Sequence, residues 1–318
     1  MIMQKTQKQN HESQDPFKKR GFKSINKAIS ASLHQVVNGM TGKRIVFPTK
    51  WPRLNKNLLG GLQPGKMYVI AGRPGVGKSA FSNQLVFDLL DANDKSNLLV
   101  LYWSFEMPGY QQILRAGAKG SGKQVGDLLS VTNKLDNDAY EHFKKEVLKY
   151  AHYPIHFNNV PRDMDFIKNT NTEMTNAYPD KVIINVYDHS RLVLSNKDQE
   201  LHKLNEVSKG CMWMQATMGC VNILLSQLNR NIEQEHRAKA QYQPLLTDLF
   251  GGDSIGQDAH VVMMLQRPYD LYGITDDYCQ EDPIGLLACH VEKNRDGLLG
   301  MIPYEAEMST FTINERKK

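Results

Sequence analysis

The sequence predicts an α/β fold: a mostly parallel, twisted sheet flanked by helices, with a β-hairpin near the C-terminus. Continuous apolar runs at 67–71, 98–105 and 181–188 are typical of strands that are buried on both faces of a parallel sheet. Helical patterns alternate with these strands, as parallel crossover connections require. The chain has 318 residues, 41% of them hydrophobic and 23% charged, which is sufficient for one large domain.

The N-terminal region differs from the rest in composition. Residues 1–21 are polar, rich in Gln, Lys, Asn and Ser, and are predicted to be a disordered tail. Apolar residues then recur at helical spacing, which predicts an amphipathic helix over 22–38 within a linker segment 22–42. The spacing leaves open whether this helix packs on its own domain or docks on a neighbouring subunit. Residues 43–318 form the predicted main domain.

Charge and cysteine content limit the class of protein. The formal net charge of +5 permits a polyanionic partner without requiring one. No apolar run reaches the roughly 18 residues of a membrane span, and the N-terminus lacks the apolar core of a signal peptide. The four cysteines contain no C-x-x-C pair and are expected to be reduced and mostly buried. These features predict a cytoplasmic protein without a membrane partner.

The stretch from Gly72 to Ser79 has the G-x-x-x-x-G-K-[ST] spacing of a phosphate-binding loop, between a predicted strand and a predicted helix. Glycines let backbone N–H groups surround an anion, and the positive end of the following helix points at the phosphates. Lys78 would reach the β- and γ-phosphates of ATP or another NTP, and Ser79 would hold Mg²⁺. The predicted nucleotide-binding residues are Gly72, Arg73, Pro74, Gly75, Val76, Gly77, Lys78, Ser79 and Ala80.

The other elements follow in order along the chain. Helices are predicted at 80–91, 109–118, 136–151, 163–177 and 198–219. Strands are predicted at 154–158, 221–226, 259–266, 284–292 and 299–304. The sequence Asn-Arg-Asp-Gly at 294–297 predicts that the last two strands form a hairpin. Residues 51–62, 231–243 and 245–255 are predicted to be turns and loops.

Three predicted strands end in polar residues, at the sheet edge where open α/β sheets bind ligands. Asp188 ends a strand of the type that carries the Mg²⁺-binding acid of phosphate-loop ATPases. Glu106 could orient or deprotonate the attacking water, or it could cap the next helix. Gln227 could bond the γ-phosphate, or it could cap a loop.

Two cations flank the predicted hairpin turn. Lys293 and Arg295 suit an arginine finger, which neutralises the charge that develops in phosphoryl transfer. They would reach phosphates only across a subunit boundary. A solvated basic turn is the alternative interpretation.

The order of these motifs resembles the RecA-like motor domain of DnaB-type replicative helicases, over about residues 44–313. The matching stretches are GGLQPGKMYVIAGRPGVGKSAF (60–81), YWSFEMP (102–108), VIINVYDHSRLV (182–193), LLSQLNRNIE (224–233), SIGQDAHVVMMLQR (254–267) and EKNRDGLLG (292–300). Three of them, SFEMP, SQLNR and KNRDGLLG, are more specific than the phosphate loop alone.

The resemblance implies a RecA-like fold and a hexameric ring that hydrolyses nucleotide at subunit interfaces and moves 5′ to 3′ on single-stranded DNA. It assigns phosphate and metal binding to Lys78 and Ser79, the catalytic base to Glu106, the metal acid to Asp188, the γ-phosphate sensor to Gln227, and action in trans to Lys293 and Arg295. The helix at 22–38 would resemble the linker helix that binds the adjacent subunit. A helicase loader or a primase stays open as a further partner.

The sequence departs from the family pattern in three places. Only about 40 residues precede the motor, where a helical primase-binding domain is usual, which suits a phage or mobile element. The strand at 182–188 continues as DHSRL instead of DYLQL, which makes Arg191 unusual. The DNA-contacting loop reads TDLFGGD instead of a sequence close to SDLRESG. Backbone N–H groups and an aromatic ring there could still contact DNA, and the predicted DNA-binding residues are Phe250, Gly251, Gly252 and Arg230.

Two other functions stay open at this point. The chain could be a RecA-like ATPase that binds single strands for recombination or repair without processive unwinding. It could also be a helicase-like interaction protein with little turnover that joins or poisons another ring. The intact phosphate loop and strand-end acids favour an ATP-dependent replicative DNA helicase.

Overall fold

The structure is a computed structural model that describes residues 20–250 and 252–317, with only the backbone described for Gly252 and Asp253. Most of the predicted disordered tail lies outside the described residues. The chain divides into two compact units, one ending at Ile45 and the other beginning at Val46. The linker boundary at 42 stays a prediction.

The first unit contains helix α1, Ile25–Met40, which begins three residues later than predicted. Ser24 is its N-cap, and the Ser24 side chain accepts a hydrogen bond from the backbone N–H of Lys27. The apolar residues along its length stay more than half exposed, among them Ile25, Ile29, Leu33 and Val36. The helix therefore presents an apolar stripe that is not buried.

Within the described residues, the second unit contains one nine-stranded sheet in the order β3-β2-β4-β5-β1-β6-β7-β8-β9. Its strands are β1 Met67–Gly72, β2 Leu98–Ser104, β3 Ile155–Asn158, β4 Val182–Asp188, β5 Val221–Gln227, β6 Val261–Gln266, β7 Leu286–Asn294, β8 Gly300–Glu307 and β9 Thr312–Glu315. The first six are parallel, and β6 to β9 pair antiparallel. The predicted α/β fold and C-terminal hairpin are confirmed.

Helices connect these strands and cover both faces of the sheet. They are α2 Pro52–Asn57, α3 Lys78–Ala92, α4 Gly109–Ser121, α5 Val125–Leu128, α6 Asn137–Leu148, α7 Met164–Ala177, α8 Glu200–Met218, α9 Gly252–Asp258 and α10 Pro268–Tyr272. Every residue of α3 from Ala80 to Leu90 is buried, which makes it the central helix of the unit. No described helix has the length and apolar character needed to cross a membrane.

The sheet separates two hydrophobic clusters, because alternate side chains of a strand point to opposite faces. In β1, Tyr68 and Ile70 belong to one cluster, and Met67, Val69 and Ala71 belong to the other. Both faces of β1 are therefore buried, as its continuous apolar sequence requires.

The C-terminal strand β9 packs on the hydrophobic cluster that contains Tyr68 and Ile70. Ile313 exchanges hydrogen bonds with the Gln84 side chain of α3, at 2.6 and 2.8 Å, and its carbonyl oxygen also accepts from Trp51 Nε1 at 3.2 Å. The Trp51 ring packs on Phe81, with ring centroids 4.6 Å apart. Glu315 accepts from the first N–H groups of α2, at 2.9 Å. The last strand thus holds the helix that follows the phosphate loop.

Candidate active site

The predicted phosphate loop connects the end of β1 to the start of α3. Gly77 caps α3 at φ +104°, and Gly75 has φ +80°, both in the left-handed region that favours glycine. A Cβ on Gly77 would also lie 2.7 Å from Met308 Cε. Gly75 and Gly77 are therefore favoured by the backbone conformation of the loop, and a larger residue at position 77 would also displace the end of the Met308 side chain.

Lys78 lies at the first position of α3 and folds back over the loop. Its Nζ donates to the carbonyl oxygens of Gly72, at 2.9 Å, and Arg73, at 3.2 Å. Burial lowers the pKa of Lys78 to about 8, an effect that the nearby carboxylates of Asp188 and Glu106 partly offset. The ammonium group is thus held inside the loop and is weakly hydrated, which strengthens its attraction for an anion.

Ser79 and Asp188 form the part of the site that fits a metal ion. The Ser79 hydroxyl donates to Asp188 Oδ1 at 3.1 Å, while Asp188 Oδ2 is buried without a hydrogen-bond partner. Burial raises the pKa of Asp188 to about 6. One carboxylate and one hydroxyl, with phosphate oxygens completing the shell, is the kind of ligand set that Mg²⁺ uses. Among the described residues no cluster of three or more His, Cys, Asp or Glu forms a dedicated metal site.

Glu106 lies beside this pair because the ends of β2 and β4 are paired. The N–H groups of Phe105 and Glu106 both donate to the Asp188 carbonyl oxygen, at 3.0 and 3.3 Å. The Glu106 side chain is 57% exposed, and its Oε2 lies 3.8 Å from His189 Nε2. Burial lowers the pKa of His189, so this ring is neutral at pH 7 and carries no charge to neutralise Glu106.

Gln227 is the residue paired with Gly72 at the end of β5, next to the start of the phosphate loop. Its Oε1 accepts a hydrogen bond from Arg191 Nη1 at 3.2 Å. The oxygen of this amide is therefore already engaged by Arg191.

These residues surround one cavity of about 410 Å³, a volume typical of small-ligand sites. The structure brings nine of the predicted residues together here: Pro74, Gly75, Gly77, Lys78, Ser79, Ala80, Glu106, Asp188 and Gln227. It adds lining residues that the sequence reasoning missed, namely Arg115, His189, Arg267, Met308 and Phe311. Arg267 and His189 were detectable as the residues that follow the ends of β6 and β4, whereas the other three had no local motif.

Arg115 is the most informative of the missed residues. Its guanidinium lies over the Phe311 ring, 4.5 Å from the centroid, and burial lowers the pKa of Arg115. It projects from α4 into the same cavity as Asp188. A second cation beside Lys78 increases the affinity of the cavity for a polyanion.

Lys293 and Arg295 lie elsewhere, at the other end of β1. Lys293 is paired with Val262 near the start of β6, and the Arg295 N–H donates to the His260 carbonyl oxygen. His260 in turn donates to Met67, the first residue of β1. Since the phosphate loop follows the last residue of β1, about 16 Å along the strand, the pair does not share the cavity of its own chain.

The side chains of this pair are bonded within their own chain. Lys293 Nζ donates to the carbonyl oxygens of Gly256 and Gln257, at 2.7 and 2.8 Å, and Arg295 Nη2 donates to that of Gln257 at 2.7 Å. These are among the last carbonyls of α9, which attract cations. The hairpin turn therefore packs on α9 and is not a free projection.

The predicted DNA-binding residues occupy the segment that follows β5. The Phe250 ring packs under the Arg191 guanidinium, 4.5 Å from its carbon, and Arg230 is exposed. Gly252 begins α9, and Gly251 lies outside the described residues. Phe250 borders a second, open groove of about 910 Å³ between α8 and α9, to which Lys209 and Lys293 also contribute.

Comparison with known proteins identifies the family. Residues 47–313 match the family model described as the DnaB-like helicase C terminal domain. The chain belongs to this family. The match covers β1 to β8, the first half of β9, and both the cavity and the hairpin cations.

Relatives of the DnaB-like chain include replicative helicases. It is 25% identical over 262 residues to the replicative DNA helicase DnaB of Helicobacter pylori strain J99, covering 78% of this chain and 50% of that protein. It is 28% identical over 272 residues to the DnaB of Mycoplasma pneumoniae, covering 81% and 55%. The chain thus spans about half the length of the curated relatives it matches.

Solved structures of the same architecture support the RecA-like fold. One solved ATPase domain aligns with a TM-score of 0.80 and 19% identity, over 93% of this chain and all of that one. A DnaB-like replicative helicase described with its interactions with primase aligns with a TM-score of 0.79 and 18% identity, over 93% and 68%. The fold is therefore that of these ATPase and DnaB-like domains.

Proposed function

We propose that this DnaB-like chain is an ATP-dependent replicative DNA helicase. It works as a hexameric ring, hydrolyses nucleotide at subunit interfaces and moves 5′ to 3′ along single-stranded DNA. One observation carries the proposal: the phosphate-binding residues and the hairpin cations lie at opposite ends of β1 in one chain. A complete site therefore needs two copies.

The residues of the cavity divide the hydrolytic step among them. Lys78 and the loop N–H groups hold the phosphates, while Ser79 and Asp188 hold Mg²⁺. The metal supplies charge stabilisation for the phosphate oxygens when bound. Glu106 accepts a proton from water as the water oxygen forms a bond to the γ-phosphorus and the bond to the β-γ bridging oxygen breaks. Gln227 senses the γ-phosphate.

The neighbouring copy completes the charge balance. Lys293 and Arg295 would approach the next subunit's γ-phosphate and stabilise the charge that develops as it leaves. Their bonds to the α9 carbonyls hold them in a fixed direction, which suits a finger on a ring interface. The apolar stripe of α1 would dock on an adjacent subunit, as a linker helix.

The segment after β5 is the proposed DNA-binding region. Phe250 would stack on a base, and Arg230 and the Gly251 and Gly252 N–H groups would contact phosphates. Lys209 borders the same groove. A loader or primase is a further proposed partner, since one matched helicase structure is described with primase. The proposed location is the cytoplasm.

The deciding experiment measures ATP hydrolysis and strand displacement on a 5′-tailed fork. We expect hydrolysis to rise with single-stranded DNA and the fork to open only when the 5′ tail is present. Stimulated hydrolysis without displacement would support the recombination-type ATPase instead. No stimulation, with little turnover, would support an interaction protein.

A mixing experiment tests the shared pocket. Glu106→Ala and Arg295→Ala rings should each be inactive, since one lacks the base and the other lacks the finger. Mixed rings should regain hydrolysis at interfaces that combine an intact glutamate with an intact arginine. Lys66→Ala, which removes a neighbouring cation paired with Asp296 at the same turn, is the matched control and should stay active. Mixtures that never recover would contradict action in trans.

A further inference from the structure

Arg191 lies where three segments of the chain meet. It sits in the short helical turn Ser190–Leu192 after β4, and its Nη1 donates to Gln227 Oε1 at 3.2 Å. Its Nε and Nη2 form a two-pronged ion pair with Glu200, the first residue of α8. Its guanidinium carbon lies 4.5 Å from the centroid of the Phe250 ring. One planar group therefore contacts the cavity amide, a helix and the proposed DNA segment.

The segment around Phe250 is also connected to Gln227 through the backbone. The Phe250 N–H donates to the Gln227 carbonyl oxygen at 2.9 Å, and Leu228 forms a bridge with Leu249. The N–H of Asn229 donates to the carbonyl oxygen of Asp248 at 2.7 Å. The backbone at the end of β5 is therefore bonded directly to the segment 246–250, and the side chain of Gln227 is the contact at this junction that a ligand can change.

We propose that Arg191 is a positioning residue that transmits the state of Gln227 to Phe250. This inference rests on the proposed function. When the Gln227 amide turns to a γ-phosphate, its Oε1 gives up or lengthens the bond to Arg191. Because the guanidinium is rigid and planar, a change at Nη1 changes its stacking on the ring. The presence of the γ-phosphate thereby alters how the 246–250 segment presents itself to DNA.

The test compares single-stranded DNA affinity in two nucleotide states. Fluorescence anisotropy of a labelled oligo-dT measures Kd with Mg²⁺ and ADP, and with Mg²⁺ and a non-hydrolysable ATP analogue. We expect the two values to differ by about tenfold in the native protein, within the usual range of coupling between sites. In Arg191→Leu the ratio should fall to about one, while the affinity for both nucleotides stays within about twofold.

A matched control uses a second arginine with the same kind of stack. The Arg162 guanidinium carbon lies 4.6 Å from the centroid of the Phe166 ring, on α7. Arg162→Leu loses a comparable contact and should keep the native ratio. Arg191→Lys keeps the positive charge but lacks the planar guanidinium. Its ratio of the two Kd values should therefore fall to about one, as in Arg191→Leu.

The outcomes separate the inference from the proposed function. Arg191→Leu that retains the tenfold ratio overturns the inference, as does a native ratio of one with measurable DNA binding. A native protein that binds no DNA overturns the proposed function as well. If Arg191→Leu fails to fold, Phe250→Leu removes the stack without changing charge and should lower the ratio in the same way; an unchanged ratio there overturns the inference.

Discussion

Polar groups at the two ends of strand β1 differ in whether they have hydrogen-bond partners. At the carboxyl end, Asp188 Oδ2 and His189 Nδ1 are buried without partners, and burial shifts the pKa values of Lys78 and Asp188 toward neutrality. At the amino end, the side chain of Lys293 is bonded to backbone carbonyls. The carboxyl end therefore keeps two buried atoms without partners, although its Lys78, like Lys293 at the amino end, is bonded to backbone carbonyls.

This difference indicates what each end contributes to catalysis. Unpaired buried groups cost stability and persist where a ligand completes them. Cations already fixed by carbonyls cost little to hold in place and are ready to face a charge on another molecule. The carboxyl end therefore fits the proposed nucleotide site, and the amino end fits the proposed role of supplying fixed positive charge to a neighbouring copy.

The largest expected effect is on nucleotide binding and hydrolysis when the lysine at each end of β1 is replaced by alanine. Lys78→Ala should weaken nucleotide binding and turnover at least ~100-fold, because the buried ammonium that faces the phosphates is lost. Lys293→Ala should leave nucleotide affinity within about threefold and lower hydrolysis alone. Binding of a fluorescent nucleotide analogue and steady-state hydrolysis measure the two effects. Equal losses of affinity in both variants would mean that one copy brings both lysines to one nucleotide.

A smaller effect is the pH dependence of nucleotide affinity, which should change by up to about tenfold per pH unit as Lys78 and Asp188 titrate. The Lys78 charge is present below its pKa of about 8 and is lost above it, and the Asp188 charge is present above its pKa of about 6 and is lost below it. Affinity for the magnesium complex of a non-hydrolysable nucleotide should therefore be greatest between about pH 6 and about pH 8. Fluorescence titrations across and beyond this window measure it.

Two variants show which residue causes the decline of nucleotide affinity at each end of the pH range. Lys78→Gln should lose the alkaline decline, and Asp188→Asn should lose the acidic decline. Titration of the nucleotide itself is common to all three proteins and cancels in the comparison. An alkaline decline that survives in Lys78→Gln would assign it to another group.

The smallest effect is on stability in the absence of nucleotide and metal. Because burial raises the folded-state pKa of Asp188 above its unfolded value, the free energy of unfolding falls as pH rises from about 4 to about 6 and stays lower above that window. Asp188→Asn should therefore be more stable at neutral pH, by on the order of 1–3 kcal/mol, and melt a few degrees higher. Thermal melts followed by circular dichroism measure this.

Asp88 is the matched control, because it is equally buried but paired. Its Oδ1 accepts from Lys119 Nζ at 2.6 Å, and its side chain is 3% exposed. Asp88→Asn breaks this pair and should lower the melting temperature. If Asp188→Asn and Asp88→Asn changed the melting temperature in the same direction, the distinction between a structural and a ligand-binding carboxylate would be contradicted.

The parts of the site that the sequence predicted are those formed by contiguous residues. Gly77, Lys78 and Ser79 belong to one local turn whose chemistry is complete in a few residues. Strand-end positions such as Asp188 follow from the rule that parallel strands carry ligands at one edge. Arg115 and Met308 come from a helix face and a distant turn, so only the tertiary fold brings them to the cavity.

The missed elements have local explanations. Helix α2 begins at Pro52, inside the segment 51–62 that was predicted to be turns, and proline is favoured at the first helical position. Helix α9 begins at Gly252, inside a glycine pair predicted to be a loop. Strand β9 has four residues, of which only Ile313 is fully buried, so its alternation is too short to detect.

Strand β9 also decides how the protein can be engineered. Ile313 binds Gln84 and Trp51, and Glu315 caps α2, so residues close to the end of this sequence support the nucleotide-binding helix. Affinity tags and fluorescent fusions therefore have to be attached without displacing residues 312–315. A trimming protease or a shortened expression product that removes 312–315 would instead loosen the helix behind the phosphate loop.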